Sequence, residues 1–201
     1  MFATSSRLTA VRFMQKIGCA AGACLALLAL SSTPALAAST CEGQTFSQPF
    51  ATLNDFNYYT LVAGSQFNGP SEGWHLSDGA QIVQATRPDG SIGGVLDVPE
   101  GSRAVSPPVC VTLQYPSARV YVRNMEGSAA LRVAVAYAST GTVARVAGLR
   151  GENENWTVSA PFSVLPELGG AGEETRNVRF VFTGRSGDTQ LYGLYVDPWM
   201  K

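Results

Sequence analysis

Hydrophobic and polar residues alternate strictly in several stretches of this chain. Leu131, Val133, Val135 and Tyr137 occupy every second position around Arg132, Ala134 and Ala136, and Val178, Phe180 and Phe182 do the same around Arg179 and Val181. Val120 and Val122 alternate with Tyr121 and Arg123. A period of two sends successive side chains to opposite faces of an extended strand, so one face meets a core and the other meets water. Further short runs rich in Val, Tyr, Phe and Thr predict strands at 45–50, 58–62, 74–76, 80–86, 94–98, 103–106, 109–113, 142–149, 155–159 and 190–197, and a strand at 176–183 contains the Val178 run.

Turn chemistry separates these runs. Asp78-Gly79 reads as the tight turn of a hairpin, and Pro88-Asp89-Gly90 as a second strong turn. Residues 169–174 read as a flexible polar loop. Past residue 37 no segment sustains a helical period, and neither repeats nor a second domain boundary are visible. A chain of about ten antiparallel strands cannot stay an open sheet without leaving an apolar face bare, so it must close as a sandwich or a barrel. The expected fold is all-β, an antiparallel two-sheet sandwich of jelly-roll type.

The first 37 residues have a different pattern. Arg7, Arg12 and Lys16 precede an uncharged Ala/Leu-rich run from Ile17 to Thr33, and Ala35-Leu36-Ala37 places small residues where a signal peptidase reads. That order of basic, apolar and small-residue segments predicts a cleaved helical signal peptide over 1–37 and a secreted domain over 38–201. The apolar run is short for a membrane span, and the residues before Cys41 lack the pattern for lipidation. After cleavage no membrane association is expected.

The remaining 164 residues suit one domain with a sizeable core. They carry 15 acidic and 11 basic residues, and no basic stripe runs along the sequence. Nucleic acid and anionic membrane surfaces are therefore not expected partners. Only Cys41 and Cys110 remain, and in an oxidising compartment such a pair is expected as a disulfide closing a loop of 69 residues.

Catalytic constellations are sparse. His75 is the one histidine, no Gly-x-Ser-x-Gly elbow occurs, and phosphate-binding loops are absent. His75 reads as a half-exposed strand residue, and Trp74, in step with Leu76, as core. Paired carboxylates can hydrolyse glycosides without histidine, and the candidates are Glu152 with Glu154, Glu173 with Glu174, and Asp97 with Glu100. Their placement in polar loops or at strand ends is also that of ordinary surface charge. No cofactor is expected. A structural calcium would have to be built non-locally from Asp197 with Glu42 or Asp55.

Aromatic residues are the stronger lead, because flat rings stack on the apolar faces of sugars while neighbouring polar groups bond the hydroxyls. The adjacent pair Tyr58-Tyr59 must send one ring outward. Tyr121 alternates with core valines and should face solvent between Arg119 and Arg123, and Trp156 follows the polar 152–155 loop. Tyr58, Tyr59, Tyr121, Arg123 and Trp156 are the ligand-binding candidates.

Several segments carry a family likeness: Cys41 with Pro49-Phe50, the Gly73–Ala80 segment, Ser106–Val111, Ala118–Asn124 and the ending Tyr195-Val196-Asp197-Pro198. Through them the chain resembles a group of small secreted proteins of high-GC soil bacteria, and more distantly the jelly-roll carbohydrate-binding modules. Such modules often carry an Asp-Asp pair near a structural calcium on the last strand, where this chain has Gly193-Leu194 upstream of Tyr195-Val196-Asp197. The resemblance implies a secreted, non-catalytic binding module for an extracellular or cell-wall polysaccharide. A secreted hydrolase of glycan or ester substrates and a structural envelope protein are the alternatives.

Overall fold

The computed structural model describes residues 41, 43–112, 117–126, 128–138, 141–164 and 175–197. The signal-peptide reading therefore lies outside the described residues, as do Glu42, Glu173 and Glu174. Fourteen strands are formed among the described residues: β1 (Phe46–Ser47), β2 (Tyr59–Leu61), β3 (His75–Ser77), β4 (Gln81–Thr86), β5 (Ile92–Val98), β6 (Arg103–Val105), β7 (Val109–Thr112), β8 (Ser117–Asn124), β9 (Ala130–Tyr137), β10 (Val143–Leu149), β11 (Thr157–Val158), β12 (Phe162–Ser163), β13 (Thr175–Ser186) and β14 (Thr189–Asp197). One 3-10 turn over Ala51–Leu53 accompanies them. No described helix is long and apolar enough to cross a membrane.

All pairings are antiparallel. In the first sheet β14 is central: β8 runs along one side, while β5 and then β2 occupy the other. β4 extends this sheet beyond β5, β1 beyond β2, and β11 with β12 beyond β8. The second sheet runs β10, β9, β13, β6, β3, with β7 also on β13.

The alternation read from the sequence holds. Leu131, Val133, Val135, Val178, Phe180 and Phe182 are each at most 1% exposed, and they form the inner layer of the second sheet. Ala118, Val120, Val122, Leu191, Leu194 and Val196 face them from the first sheet within one hydrophobic cluster. Burying each Val, Leu or Phe side chain among them stabilises the fold by about 1.5–3 kcal/mol. Trp74 is in this core as expected, stacked at 6.0 Å on Phe182. Phe162, in a strand the sequence does not announce, crosses to Phe180 edge-on.

Cys41 and Cys110 form the expected disulfide, with their Cα atoms 5.5 Å apart. The bond ties the start of the domain to β7.

Two expectations need correction. Asp78 and Gly79 both take positive φ and close a turn in which the Ala80 N–H donates to Ser77 O. The flanking strands do not form a hairpin, however: β3 pairs with β6 in one sheet and β4 with β5 in the other. The turn passes the chain between sheets, and local turn chemistry cannot distinguish these outcomes. Pro88-Asp89-Gly90 does join a true hairpin, β4–β5. The second correction concerns charge. No basic stripe exists along the sequence, yet pleating brings five arginines from four parts of the chain to the outer face of the second sheet.

Candidate functional site

The outer face of the first sheet carries most of the aromatic candidates. β8 points Arg119, Tyr121 and Arg123 away from the core, because Ala118, Val120 and Val122 occupy the inward positions. On β14 the partners of these residues are Tyr195 opposite Arg119, Tyr192 opposite Tyr121 and Gln190 opposite Arg123. Tyr192 and Tyr195 are three residues apart and would face opposite ways in a regular strand. A bulge at Gly193, whose φ is +58, restores both to the outer face. A Cβ at Gly193 would approach Tyr195 Cε2 to 2.9 Å, so the bulge and the ring position depend on each other.

One end of this face is covered by the β1–β2 connection. Asn54 in the left-handed region ends the 3-10 turn, and Asp55 Oδ1 accepts the Asn57 N–H at 3.1 Å. Phe50 is thereby fully buried under the Arg119 guanidinium, with its ring centroid 5.0 Å from Tyr59, 5.6 Å from Tyr121 and 5.2 Å from Tyr195. Asp55 Oδ2 accepts hydrogen bonds from Tyr59 Oη at 2.7 Å and from Arg119 Nη1 at 2.5 Å, the one ion pair among the described residues. Burial alone would raise the Asp55 carboxyl, but the bonds from Tyr59, Asn57 and Arg119 outweigh it and hold its pKa below the ordinary value. Burial, with Asp55 alongside, pushes the Tyr59 hydroxyl up to about 12. Burial and the neighbouring Tyr121 and Tyr192 do the same to Tyr195, also to about 12.

The other end is polar and is roofed by a loop. Arg123 donates to Gln190 Oε1 from Nη2 at 2.7 Å and from Nε at 3.0 Å. Gln190 Nε2 in turn donates to Asp97 Oδ1 at 3.2 Å. Residues 151–155 hold on to β8: Asn124 Nδ2 donates to Gly151 O, and the Gly151 N–H donates to Asn124 Oδ1. A side chain at 151 would stand 2.6 Å from the Arg123 Cα, so only glycine fits there. This loop delivers Trp156. Its indole lies 4.6 Å from the Arg123 guanidinium, and its Nε1 donates to Thr86 O on the far edge strand at 2.8 Å. Beside it Arg87 covers Tyr192 at 5.3 Å and bonds Gln66 O and Asn68 Oδ1.

Of the five sequence candidates, the structure brings Arg123 and Trp156 into contact and places Tyr121 on the same face, half-buried. Tyr58 is exposed and lies outside the ring cluster around Phe50. Tyr59 needs correction: at 1% exposure it presents no ring to solvent, because Phe50 and the Asp55 bond enclose it. Sequence reasoning missed Tyr192, Tyr195 and Gln190. The signal available for them was Gly193, since a glycine within a strand marks a bulge.

Asp197 is buried opposite Ser117, whose Oγ donates to its Oδ2 at 3.4 Å, while Asp55 is engaged by Arg119 and Tyr59. Among the described residues no three metal-ligating side chains converge. Of the paired carboxylates, Glu152, Glu154 and Glu100 are exposed, and Asp97 is buried against Gln190. His75 is exposed on β3.

No protein-family model matches the chain, and no curated protein matches it. Solved structures do. One is the CBM22-1 and GH10 modules of Clostridium thermocellum endo-1,4-beta-D-xylanase 10B complexed with xylohexaose, with 15% identity, a TM-score of 0.47, and coverage of 68% of this chain and 28% of that one. Another is the C-terminal CBM6 of a marine laminarinase from Zobellia galactanivorans, with 17% identity, a TM-score of 0.44, and coverage of 64% and 95%. The CBM22-1 xylan-binding domain from Paenibacillus barcinonensis has 12% identity, a TM-score of 0.47, and coverage of 68% and 91%.

Proposed function

We propose that this is a secreted, non-catalytic module that binds an uncharged extracellular or cell-wall polysaccharide along the outer face of its first sheet. The observation that carries this reading is the fixed, half-exposed indole of Trp156. Its Nε1 is anchored to Thr86 O and one of its faces is backed by Arg123, so the ring is already oriented before a ligand arrives. A pre-ordered ring loses little entropy on binding, and its remaining face suits the C–H surface of a pyranose. The neighbouring Arg123, half-buried on the same face and held in place by Gln190, supplies guanidinium N–H donors for hydroxyl groups.

Affinity electrophoresis of the 38–201 protein in gels holding xylan, laminarin or hydroxyethylcellulose tests this directly. Retardation in at least one gel is expected, and Trp156→Ala should weaken it at least tenfold while leaving the fold intact by circular dichroism. No retardation in any of the three, or retardation that survives Trp156→Ala, would overturn the reading.

A further inference from the structure

The outer face of the second sheet holds a feature that the aromatic reading does not use. Two shallow grooves of about 440 Å³ each lie there side by side, sharing Arg132 and Arg145. Arg103 joins them in the first groove, and Arg150 with Arg185 in the second. These are five of the ten arginines that follow residue 37. Among the described residues, Asp78 is the single carboxylate lining either groove. The one ion pair among the described residues is Arg119–Asp55 on the opposite sheet, so none of the five is neutralised by a described partner.

Register explains how the cluster forms. Arg103 on β6 stands opposite Thr183 on β13, and Thr183 stands opposite Arg132 on β9. Two strand spacings, about 10 Å, therefore separate Arg103 from Arg132. Beyond Arg132 lies Gly148 on β10, and Arg145 on the same strand faces Ala134. The intervening positions are small, so the floor stays low and the guanidinium groups border open grooves. Gathering like charges without counter-charges costs folding stability, and a protein with net negative charge over 38–201 has acids available to offset them. Among the described residues only one of those acids, Asp78, lines either groove.

We infer that this arginine face is a second binding surface, for an acidic polysaccharide whose carboxylate or sulfate groups sit against the guanidinium groups of Arg103, Arg132, Arg145, Arg150 and Arg185. Guanidinium forks match both oxyanions bidentately. The two contiguous grooves favour an extended chain over a single small anion, because spaced charges engage several arginines at once. No aromatic ring among the described lining residues offers a base a stacking surface, which separates the face from the usual single-stranded nucleic-acid groove. The inference shares with the proposed function only the secreted setting; it uses neither Trp156 nor Arg123.

The test is affinity electrophoresis of the 38–201 protein in gels holding polygalacturonate, dextran sulfate, uncharged dextran or single-stranded DNA. Retardation is expected in at least one acidic-glycan gel and not with dextran. It should weaken as salt rises, and should fall at least tenfold in the Arg132→Gln/Arg145→Gln double variant with an unchanged melting temperature. Which acidic gel retards the protein assigns carboxylate or sulfate. Arg103→Gln provides a second, independent variant and should weaken retardation several-fold. Trp156→Ala should leave acidic-glycan retardation intact, so a failure of the aromatic site is read separately. No retardation in either acidic gel, retardation that both sets of variants preserve, or stronger retardation by DNA than by either glycan would overturn the inference.

Discussion

The Arg123 guanidinium and the Trp156 indole face each other at 4.6 Å, although one belongs to a mid-sheet strand and the other to a loop. The same guanidinium directs two N–H groups at Gln190 Oε1, so it serves at once as backing for the ring and as one end of a polar row. Lysine can keep the charge there but not the planar stack or the paired donors. Arg123→Lys is expected to cost about 1–2 kcal/mol in urea denaturation, through loss of the cation–π contact and one hydrogen bond. It should also alter tryptophan fluorescence as the indole loses its backing. An unchanged denaturation midpoint together with an unchanged spectrum would show that the contact contributes nothing.

Gly193 makes a sharper structural test. Its positive φ and the 2.9 Å approach of Tyr195 to a prospective Cβ both oppose any side chain. Gly193→Ala should destabilise the protein by about 1–3 kcal/mol. It should also weaken neutral-glycan retention, because Tyr192 and Tyr195 share the outer face only through the bulge. Thermal melting and gel retardation read the two effects separately.

Alkaline pH should unfold the domain through the same ring cluster. The Tyr59 and Tyr195 hydroxyls are each held at about 12 in the folded state, against 10.0 for tyrosine in an unfolded chain. Stability from these groups is complete below pH 10 and is lost as pH rises from 10 toward 12, since the unfolded state releases the protons first. The melting temperature should therefore fall steeply over that interval. The phenolate absorbance step that coincides with unfolding should lose one ring's contribution in Tyr195→Phe, which should also shift the fall to higher pH.

Reduction of Cys41–Cys110 is expected to cost about 4 kcal/mol on the loop-entropy account, given the separation of 69 residues. Denaturant titration with and without a reducing agent measures it. A loss below about 1 kcal/mol would mean that the first strands are held by packing alone.

Much of this architecture was legible before any coordinates. Leu131, Val133 and Val135 point inward because the two-residue period is a property of the extended backbone itself. The pairing of Cys41 with Cys110 followed from there being only two cysteines past residue 37. Phe162 was not legible: it sits in a two-residue strand, too short to show a period, and its contact with Phe180 comes from the opposite sheet. The candidate site was half legible. Tyr121, Arg123 and Trp156 lie on one outer face as the alternation predicts, whereas Tyr59, equivalent to Tyr58 in the sequence, is covered by Phe50.

The sequence by itself determined which faces of the strands are oily, that the part past residue 37 is all-β, and which cysteines meet, since each depends on local alternation or on simple counting. Only the tertiary structure decided that Asp78-Gly79 joins two sheets, that Tyr192 and Tyr195 share a face, and that five scattered arginines gather on another. Those outcomes depend on which strands become neighbours, and a strand's own residues do not specify its partner: the shared core does.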